Sequence, residues 1–238
     1  MLVGLPATGK TYISHKLSHY LRWLGVKASS FTLAMYREKM FGKQRHGFFD
    51  PENKDALERR KILMEHALAD MVAYFSSGGQ VAIFDGTNVT QAQRTNISDK
   101  LTSKNIQVIF IELINTNPAI AQEIFIEEMQ TSPNYAGYIP SEASADLKAR
   151  IEHYTKIYQP LSSEENRLNY IKLFNIAERI VVHNIKGFLQ TRMVFFLMNV
   201  HVGFRSIFLY RVRVSSSSTF FLCAFLKPPL FFSYLLSH

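Results

Sequence analysis

Cysteine is almost absent from this 238-residue sequence, which has one, Cys223. A lone thiol excludes an internal disulfide framework and any metal site made of several cysteines. The first residues also lack a basic head followed by an apolar run, the pattern of a secretory signal. We therefore expect a cytoplasmic protein.

Acidic residues are missing from residues 188–238, which carry five Lys and Arg residues. That segment supplies +5 of the formal net charge of +8, which leaves 22 basic against 19 acidic residues, or +3, for residues 1–187. A nucleic-acid-binding domain usually clusters its Lys and Arg residues on one face. The mild charge of residues 1–187 instead suits an anionic small-molecule substrate, and we expect no nucleic-acid partner.

Residues 4–11 read GLPATGKT and match the phosphate-binding pattern G-x-x-x-x-G-K-[ST] in full. In such a loop the glycines let backbone N–H groups turn toward a phosphate, and the following helix offers its positive N-terminus. Lys10 would reach the β- and γ-phosphates, while the Thr11 hydroxyl would bind Mg²⁺. No N-K-x-D motif for guanine recognition occurs, so the expected ligands are ATP and Mg²⁺. The predicted nucleotide-binding residues are Gly4, Leu5, Pro6, Ala7, Thr8, Gly9, Lys10, Thr11 and Tyr12, with Lys10 also catalytic and Thr11 also a metal ligand.

The hydrophobic pattern of residues 1–187 alternates between helix and strand periodicity. Helical spacing follows the phosphate loop, and the short apolar runs at 81–84 and 108–111 are typical of buried parallel strands. A longer helix is expected to start with Asp50 as its N-cap and Pro51 as its first residue. This order predicts an α/β fold of the P-loop NTPase type, with a mainly parallel sheet and helices on both faces.

A second part of the site is expected where a buried strand ends at Asp85, in the stretch VAIFD. A carboxylate in this position holds the Mg²⁺ shell or orients the attacking group, so Asp85 is assigned as catalytic and as a metal ligand. Thr87 follows where a phosphate acceptor would approach.

Four arginines lie beside predicted element ends or on helices that follow the sheet. Guanidinium groups bind phosphate through two parallel hydrogen bonds, so convergent arginines imply a phosphorylated acceptor. Each one taken alone fits an exposed helix face as well, and the pattern does not choose between these interpretations. The four are Arg37, Arg60, Arg94 and Arg150.

Several stretches at fixed separations resemble the kinase half of 6-phosphofructo-2-kinase/fructose-2,6-bisphosphatase. They are GLPATGKTYISHKL, FDGTN, SPNY, IYQPL and FFLMNVHV followed by RSIFL, from Met1 to about Tyr210. The resemblance implies transfer of the γ-phosphate of ATP to the 2-hydroxyl of fructose 6-phosphate. It also implies that Lys10, Thr11 and Asp85 serve ATP and Mg²⁺. The sugar-phosphate residues that it implies are Arg37, Arg60, Thr87, Arg150 and Tyr154, to which Arg94 is added because it keeps one charge of an arginine-rich stretch after FDGTN.

The sequence departs from the family's pattern inside this site. Met129 stands where the family has a lysine that bridges nucleotide and sugar, and losing one such donor typically costs about 2.7–4 kcal/mol. We therefore expect ATP binding with weak or no phosphorylation of fructose 6-phosphate. The other departures are Thr8 and Glu38 in place of arginines, Gln91 and Gln93 within the stretch that is arginine-rich in the family, and Asn115 in place of a cysteine.

Two other functions stay open at this point. One is an ATP-binding regulatory subunit with impaired catalysis, and the other is a P-loop kinase for another small phosphorylated metabolite. The expected partners are fructose 6-phosphate and, in a dimer, a second copy of this chain or an intact homologue.

Three regions are predicted along the chain. A P-loop 6-phosphofructo-2-kinase-like domain covers 1–187, the end of that domain and the link toward a phosphatase cover 188–210, and an apolar tail without a family counterpart covers 211–238. The C-R-H-G-E stretch with the phosphatase nucleophile is absent, so we do not expect bisphosphatase activity. Lys227 and Pro228-Pro229 interrupt the apolar runs of the tail, which argues against membrane contact.

Only residues 1–3 precede the phosphate loop and are available for the strand from which such a loop extends. The resemblance implies several more apolar residues there, and each strand residue spans only about 3.3 Å. We therefore expect the central strand to be shortened at its buried end.

Overall fold

The computed structural model describes residues 1–200 and the strands at 207–213 and 219–225. The chain forms two compact units, Met1–Asn199 and Val200–His238. The strands of the first unit are β1 (Leu2–Val3), β2 (Ala28–Thr32), β3 (Val81–Asp85), β4 (Ile109–Ile114), β5 (Asn169–Phe174) and β6 (Arg179–His183). Its helices are α1 (Lys10–Trp23), α2 (Leu33–Phe41), α3 (Lys54–Ser76), α4 (Gln91–Thr102), α5 (Pro118–Thr131), α6 (Pro140–Ile157) and α7 (Phe188–Asn199), with 3₁₀ turns at His46–Phe49, Pro133–Tyr135 and Ser163–Glu165.

The strands of the first unit pair mainly in parallel. β1 pairs with β4, β4 with β5 and β2 with β3 in parallel, while β6 joins β5 in the antiparallel direction. The Gly4 N–H donates to the Thr87 carbonyl oxygen at 3.0 Å, and the Asn88 side-chain amide donates to the carbonyl oxygen of β1 residue Leu2 at 2.7 Å. The carboxyl ends of β1 and β3 therefore lie side by side. The predicted α/β fold, a mainly parallel sheet flanked by helices, is confirmed.

The helix after the phosphate loop begins where the sequence predicts it. Gly9 precedes Lys10 with φ of 85°, in the left-handed region that glycine adopts without strain. The apolar stripe of Ile13, Leu17 and Leu21 is buried, at most 1% exposed. This face fixes α1 against the sheet and so holds the loop at the sheet's edge.

The long helix α3 begins later than the sequence pattern predicts. It starts at Lys54 with Asn53 as its N-cap, because the Asn53 side chain accepts the Ala56 N–H at 3.0 Å. The predicted start at Asp50 is wrong, since the Asp50 carboxylate accepts the Glu52 N–H at 2.9 Å and forms a turn before the helix.

The main hydrophobic core joins the sheet to α3 and α4. Val3, Phe84 and Phe110 come from β1, β3 and β4 and are each 0% exposed. They pack with Ala67 of α3 and Ile97 of α4. β1 has only two residues, as the short run before the loop predicts.

The unit boundary falls after Asn199, between the predicted boundaries that follow residues 187 and 210. The reason is visible in α7, which buries Met193 and Leu197. The helix α7 therefore belongs to the first unit.

The described residues of the second unit form an antiparallel pair, β7 (Ile207–Arg213) and β8 (Thr219–Phe225). Residues 214–218 and 226–238 of the predicted tail lie outside the described residues. In the part of the chain that the structure describes, no helix is both long enough and apolar enough to cross a membrane.

Candidate active site

The phosphate loop connects β1 to α1 at the carboxyl edge of the sheet. Gly4 leaves β1 with φ of 142°, and a Cβ atom there would lie 2.8 Å from the carbonyl oxygen of Leu113 in β4. A side chain at this position would therefore clash with the backbone of a neighbouring strand. Ala7, within the loop, has φ of 53° in the left-handed region. The first glycine of the motif is thus required by the close approach of β4.

Lys10 lies inside the loop with its ammonium turned toward loop oxygen atoms. The ammonium donates to the Leu5 carbonyl oxygen and, at 3.3 Å, to the Thr8 hydroxyl. Burial lowers the pKa of Lys10 to about 8, and the negative charge of Asp85 opposes this change. The cation is therefore held where the loop's backbone would enclose a phosphate.

The two predicted metal ligands are adjacent although 74 residues separate them in the sequence. The Thr11 hydroxyl donates to Asp85 Oδ2 at 2.8 Å. Burial raises the pKa of Asp85, while Lys10 and the Thr11 hydrogen bond act in the opposite direction. Hydroxyl and carboxylate oxygens are the hard ligands that Mg²⁺ prefers, and the described residues contain no group of three or more metal-ligating side chains. The pair fits a Mg²⁺ ion that takes its other ligands from nucleotide phosphates and water.

Four of the predicted acceptor residues gather around Phe49, at the end of the first 3₁₀ turn. The Arg37 and Arg150 guanidinium carbons lie 5.0 Å and 4.0 Å from the centre of the Phe49 ring. Arg60 donates to the Phe49 carbonyl oxygen at 3.0 Å, and the Tyr154 ring centre is 5.9 Å from that of Phe49. We call these five residues the acceptor cluster. It joins α2, α3 and α6, which carry the arginines and Tyr154.

The acceptor cluster carries positive charge that its surroundings do not neutralise. Among the described residues, no carboxylate forms an ion pair with Arg37, Arg60 or Arg150. Burial, and then repulsion from Arg150, lowers the pKa of Arg37 to about 10, so Arg37 remains a cation at neutral pH. The cluster therefore suits an anionic ligand.

The phosphate loop lies next to the acceptor cluster. Leu5 of the loop packs against the hydrophobic group that contains Phe49 and Tyr154. Thr87, half-buried, follows Asp85 by two residues, and its carbonyl oxygen holds the Gly4 N–H. The phosphate loop and the acceptor cluster are therefore neighbours in the fold.

Two further predicted nucleotide residues differ in their exposure. Pro6 is buried, whereas Tyr12 of α1 is half-exposed with the Lys16 ammonium 5.4 Å from its ring centre.

Arg94 does not belong to this site. Its side chain is 0% exposed, and it pairs with Glu165 through two hydrogen bonds of 2.9 Å and 2.6 Å. Its remaining nitrogen donates to the carbonyl oxygens of Asn88, Val89 and Gln159. Because every nitrogen is used inside the protein, the predicted role of Arg94 in substrate binding is corrected to a structural one.

The positions that depart from the family's pattern fall into two groups. Met129 is half-buried and packs, together with Ala7, against the cluster of Tyr135, Ala143 and Leu147. Both polar atoms of the Asn115 side chain are buried without a hydrogen-bond partner among the described residues. Glu38, Gln91 and Gln93 are exposed.

Two residues contact the predicted site residues although the sequence pattern predicts neither of them to belong to the site. Phe49 reads as an ordinary core aromatic before a turn, yet it contacts four predicted acceptor residues. Asn134 accepts a hydrogen bond of 2.6 Å from Arg37 and donates one of 2.9 Å to the Ser132 hydroxyl. Only the tertiary packing reveals these roles, since the contacts of Phe49 come from three different helices and Arg37 lies 97 residues from Asn134.

A glycine-rich phosphate loop at the carboxyl edge of a parallel sheet, with a hydroxyl–carboxylate pair beside it, defines a P-loop nucleotide-binding protein. The model of the 6-phosphofructo-2-kinase family matches residues 1–203. The chain therefore belongs to the 6-phosphofructo-2-kinase family.

Curated relatives agree with this assignment. The 6-phosphofructo-2-kinase/fructose-2,6-bisphosphatase of Gallus gallus is 40% identical over 214 residues, which cover 89% of this chain and 46% of the relative. That of Caenorhabditis elegans is 41% identical over 220 residues, covering 89% of this chain and 48% of the relative. The chain thus spans about half the length of these relatives. Among solved structures, Kti12 of Chaetomium thermophilum aligns with a TM-score of 0.49 and 14% identity, covering 82% of this chain and 93% of that chain.

Proposed function

We propose that this chain binds ATP with Mg²⁺ and transfers the γ-phosphate to the 2-hydroxyl of fructose 6-phosphate. The observation that carries the proposal is the acceptor cluster, whose three arginines have no carboxylate partner among the described residues. Uncompensated guanidinium groups beside a phosphate loop suit a second phosphorylated molecule. The residues proposed to bind the sugar phosphate are Arg37, Arg60, Thr87, Arg150 and Tyr154.

In the proposed reaction the 2-hydroxyl oxygen attacks the γ-phosphorus, and the bond from that phosphorus to the β,γ-bridging oxygen breaks so that ADP leaves. Lys10 stabilises negative charge that develops on the transferred phosphoryl group. Asp85 orients the hydroxyl and accepts its proton, and burial raises the pKa of Asp85, which makes its carboxylate a stronger base. Thr11 and Asp85 would hold a Mg²⁺ ion, which when bound would neutralise charge on the phosphates.

The test is a calorimetric titration with Mg-ATP and then with fructose 6-phosphate, followed by a product assay. We expect both ligands to bind and fructose 2,6-bisphosphate to form at a low rate, because Met129 replaces the bridging lysine. The same assay with other sugar phosphates distinguishes a kinase for another metabolite, which would prefer one of them. Failure to bind Mg-ATP would contradict the proposal as a whole.

A catalytically impaired, ATP-binding regulatory chain is the second candidate. It is favoured by Met129, which packs against apolar side chains at the position where the resemblance implies a bridging lysine. Binding of both ligands without product would support this candidate over the active kinase.

We also propose a cytoplasmic location and a dimer, formed with a second copy or with an intact homologue. Both proposals depend on the family relationship. Sedimentation of the purified chain, alone and mixed with a full-length relative, tests the dimer, and cell fractionation tests the location.

A further inference from the structure

The acceptor cluster is assembled from three helices that share one neighbour. Arg37 comes from α2, Arg60 from α3, and Arg150 and Tyr154 from α6. Phe49, which is only 2% exposed, contacts each of them through its ring or its carbonyl oxygen. Phe49 is therefore the shared contact of the three arginines and Tyr154.

The aromatic ring counters the repulsion between two of these cations. Arg150 is close enough to Arg37 for its charge to lower the pKa of Arg37. The face of an aromatic ring attracts a guanidinium group, most strongly where water is excluded, as it is around Phe49. The ring thus offers both arginines an attractive contact that an aliphatic side chain of similar size lacks.

The backbone of the same residue fixes the third arginine. Arg60 donates from Nη1 to the Phe49 carbonyl oxygen at 3.0 Å and from Nη2 to the Asp50 carbonyl oxygen at 3.1 Å. These two bonds hold the planar guanidinium at both ends, which fixes its orientation. The side chain and the backbone of Phe49 therefore contact all three cations.

We propose that Phe49 is a positioning residue that holds Arg37, Arg60 and Arg150 ready for a phosphorylated acceptor. This inference rests on the proposed function, because the phosphorylated acceptor is the one proposed to bind at this site. Arginines that are ordered before binding lose less entropy when they close on a phosphate. Phe49 should therefore determine affinity for the acceptor and leave affinity for the nucleotide unchanged.

The test compares Phe49→Leu with a matched control, Phe48→Leu. Phe48 is buried in the same hydrophobic group, and its ring packs against that of Phe49 with centres 5.3 Å apart. In the part of the chain that the structure describes, no guanidinium group lies against the Phe48 ring. Both substitutions remove similar apolar volume, so a difference between them reports on the arginines. Phe49→Met replaces Phe49→Leu if the latter does not fold.

Each protein is saturated with Mg²⁺ and the non-hydrolysable ATP analogue AMP-PNP and titrated calorimetrically with fructose 6-phosphate and, separately, with inorganic phosphate. For Phe49→Leu we expect affinity for both ligands to fall on the order of tenfold, with unchanged affinity for AMP-PNP. For Phe48→Leu we expect the wild-type affinities. Where turnover is measurable, KM for fructose 6-phosphate should rise in Phe49→Leu more than kcat falls.

Equal weakening by the two substitutions, or no weakening by Phe49→Leu, would overturn the inference. A wild-type chain that binds inorganic phosphate but not fructose 6-phosphate would refute the proposed function, and the phosphate titrations would still decide the role of Phe49. A wild-type chain that binds neither ligand would refute both.

Discussion

Lys10 is the residue whose charge the phosphate site depends on most directly. Burial lowers the pKa of Lys10 to about 8, so a rising pH removes the positive charge. The protonated amine is the form that binds phosphate, and we therefore expect the affinity for Mg-ATP to fall above pH 8, by up to about tenfold per pH unit. Calorimetric titrations across this range measure the effect. Lys10→Arg keeps its charge and should give a flat profile, while an equally flat wild-type profile would contradict the prediction.

Met129 is a second single residue with a measurable consequence. It packs beside Ala7 and Tyr135, and a lysine stem could lie along the same apolar surface with its ammonium at the phosphate edge. We expect Met129→Lys to increase the rate of fructose 6-phosphate phosphorylation, by up to about 10² to 10³-fold. A coupled assay for ADP release provides the measurement. Met129→Leu should give no increase, and a wild-type rate equal to that of an intact relative would show that the methionine does not limit catalysis.

Among the contacts between secondary-structure elements, that of Arg94 joins α4 to the 3₁₀ turn at Ser163–Glu165. The Arg94–Glu165 pair is almost entirely buried, with side-chain exposures of 0% and 3%. Arg94→Met would leave the Glu165 carboxylate buried without its partner, and we expect the free energy of unfolding to fall by about 3–5 kcal/mol. Urea denaturation followed by circular dichroism measures this change.

The matched control for Arg94 is an exposed ion pair, Lys61–Glu58, with side-chain exposures of 58% and 65%. Lys61→Met should change the free energy of unfolding by less than about 1 kcal/mol. Combining Arg94→Met with Glu165→Leu should recover much of the lost stability, because no charge then stays buried alone. If Arg94→Met were stable and showed only a raised KM for fructose 6-phosphate, Arg94 would instead be a substrate-binding residue.

In a chain that begins at Met1, the free amino group lies beside β1 in the core. This group donates to the Ile109 carbonyl oxygen at 2.8 Å, and burial lowers its pKa from 8.0 to about 5. Between these values the unfolded chain binds more protons than the folded chain, so stability should rise as the pH increases from 5 to 8. The difference between the two pKa values corresponds to at most about 4 kcal/mol.

Urea denaturation at several pH values, on the chain that begins at Met1, tests this dependence. The same chain with an acetylated amino terminus has no group to titrate there, and it should lose the rise in stability between pH 5 and 8. Identical profiles for the two proteins would show that the amino group is hydrated in the folded state.

Across the whole molecule, the contacts that the sequence predicts best are those that a short motif and its neighbouring strand determine. The contact between Thr11 and Asp85 follows from their positions, because a phosphate loop and a strand end meet at the same edge of a parallel sheet. Arg94 shows the limit of that reasoning, since its charge is visible in the sequence but its partner Glu165 lies 71 residues away. Phe49 is a further case, because its role depends on how α2, α3 and α6 pack.

The C-terminal limit of the first unit can be tested with shortened chains. Every residue of the candidate site lies within Met1–Asn199, and α7 at the end of that unit buries Met193 and Leu197. A chain ended after residue 200 should therefore keep the Mg-ATP affinity and the free energy of unfolding of the full chain. A chain ended after residue 187 also loses α7, and its free energy of unfolding should fall by at least about 2 kcal/mol, the usual effect of removing a buried large side chain. Urea denaturation and calorimetry compare the three chains. If the two shortened chains were equally stable, α7 would contribute nothing to the stability of the fold, and the boundary of the first unit would lie at residue 187.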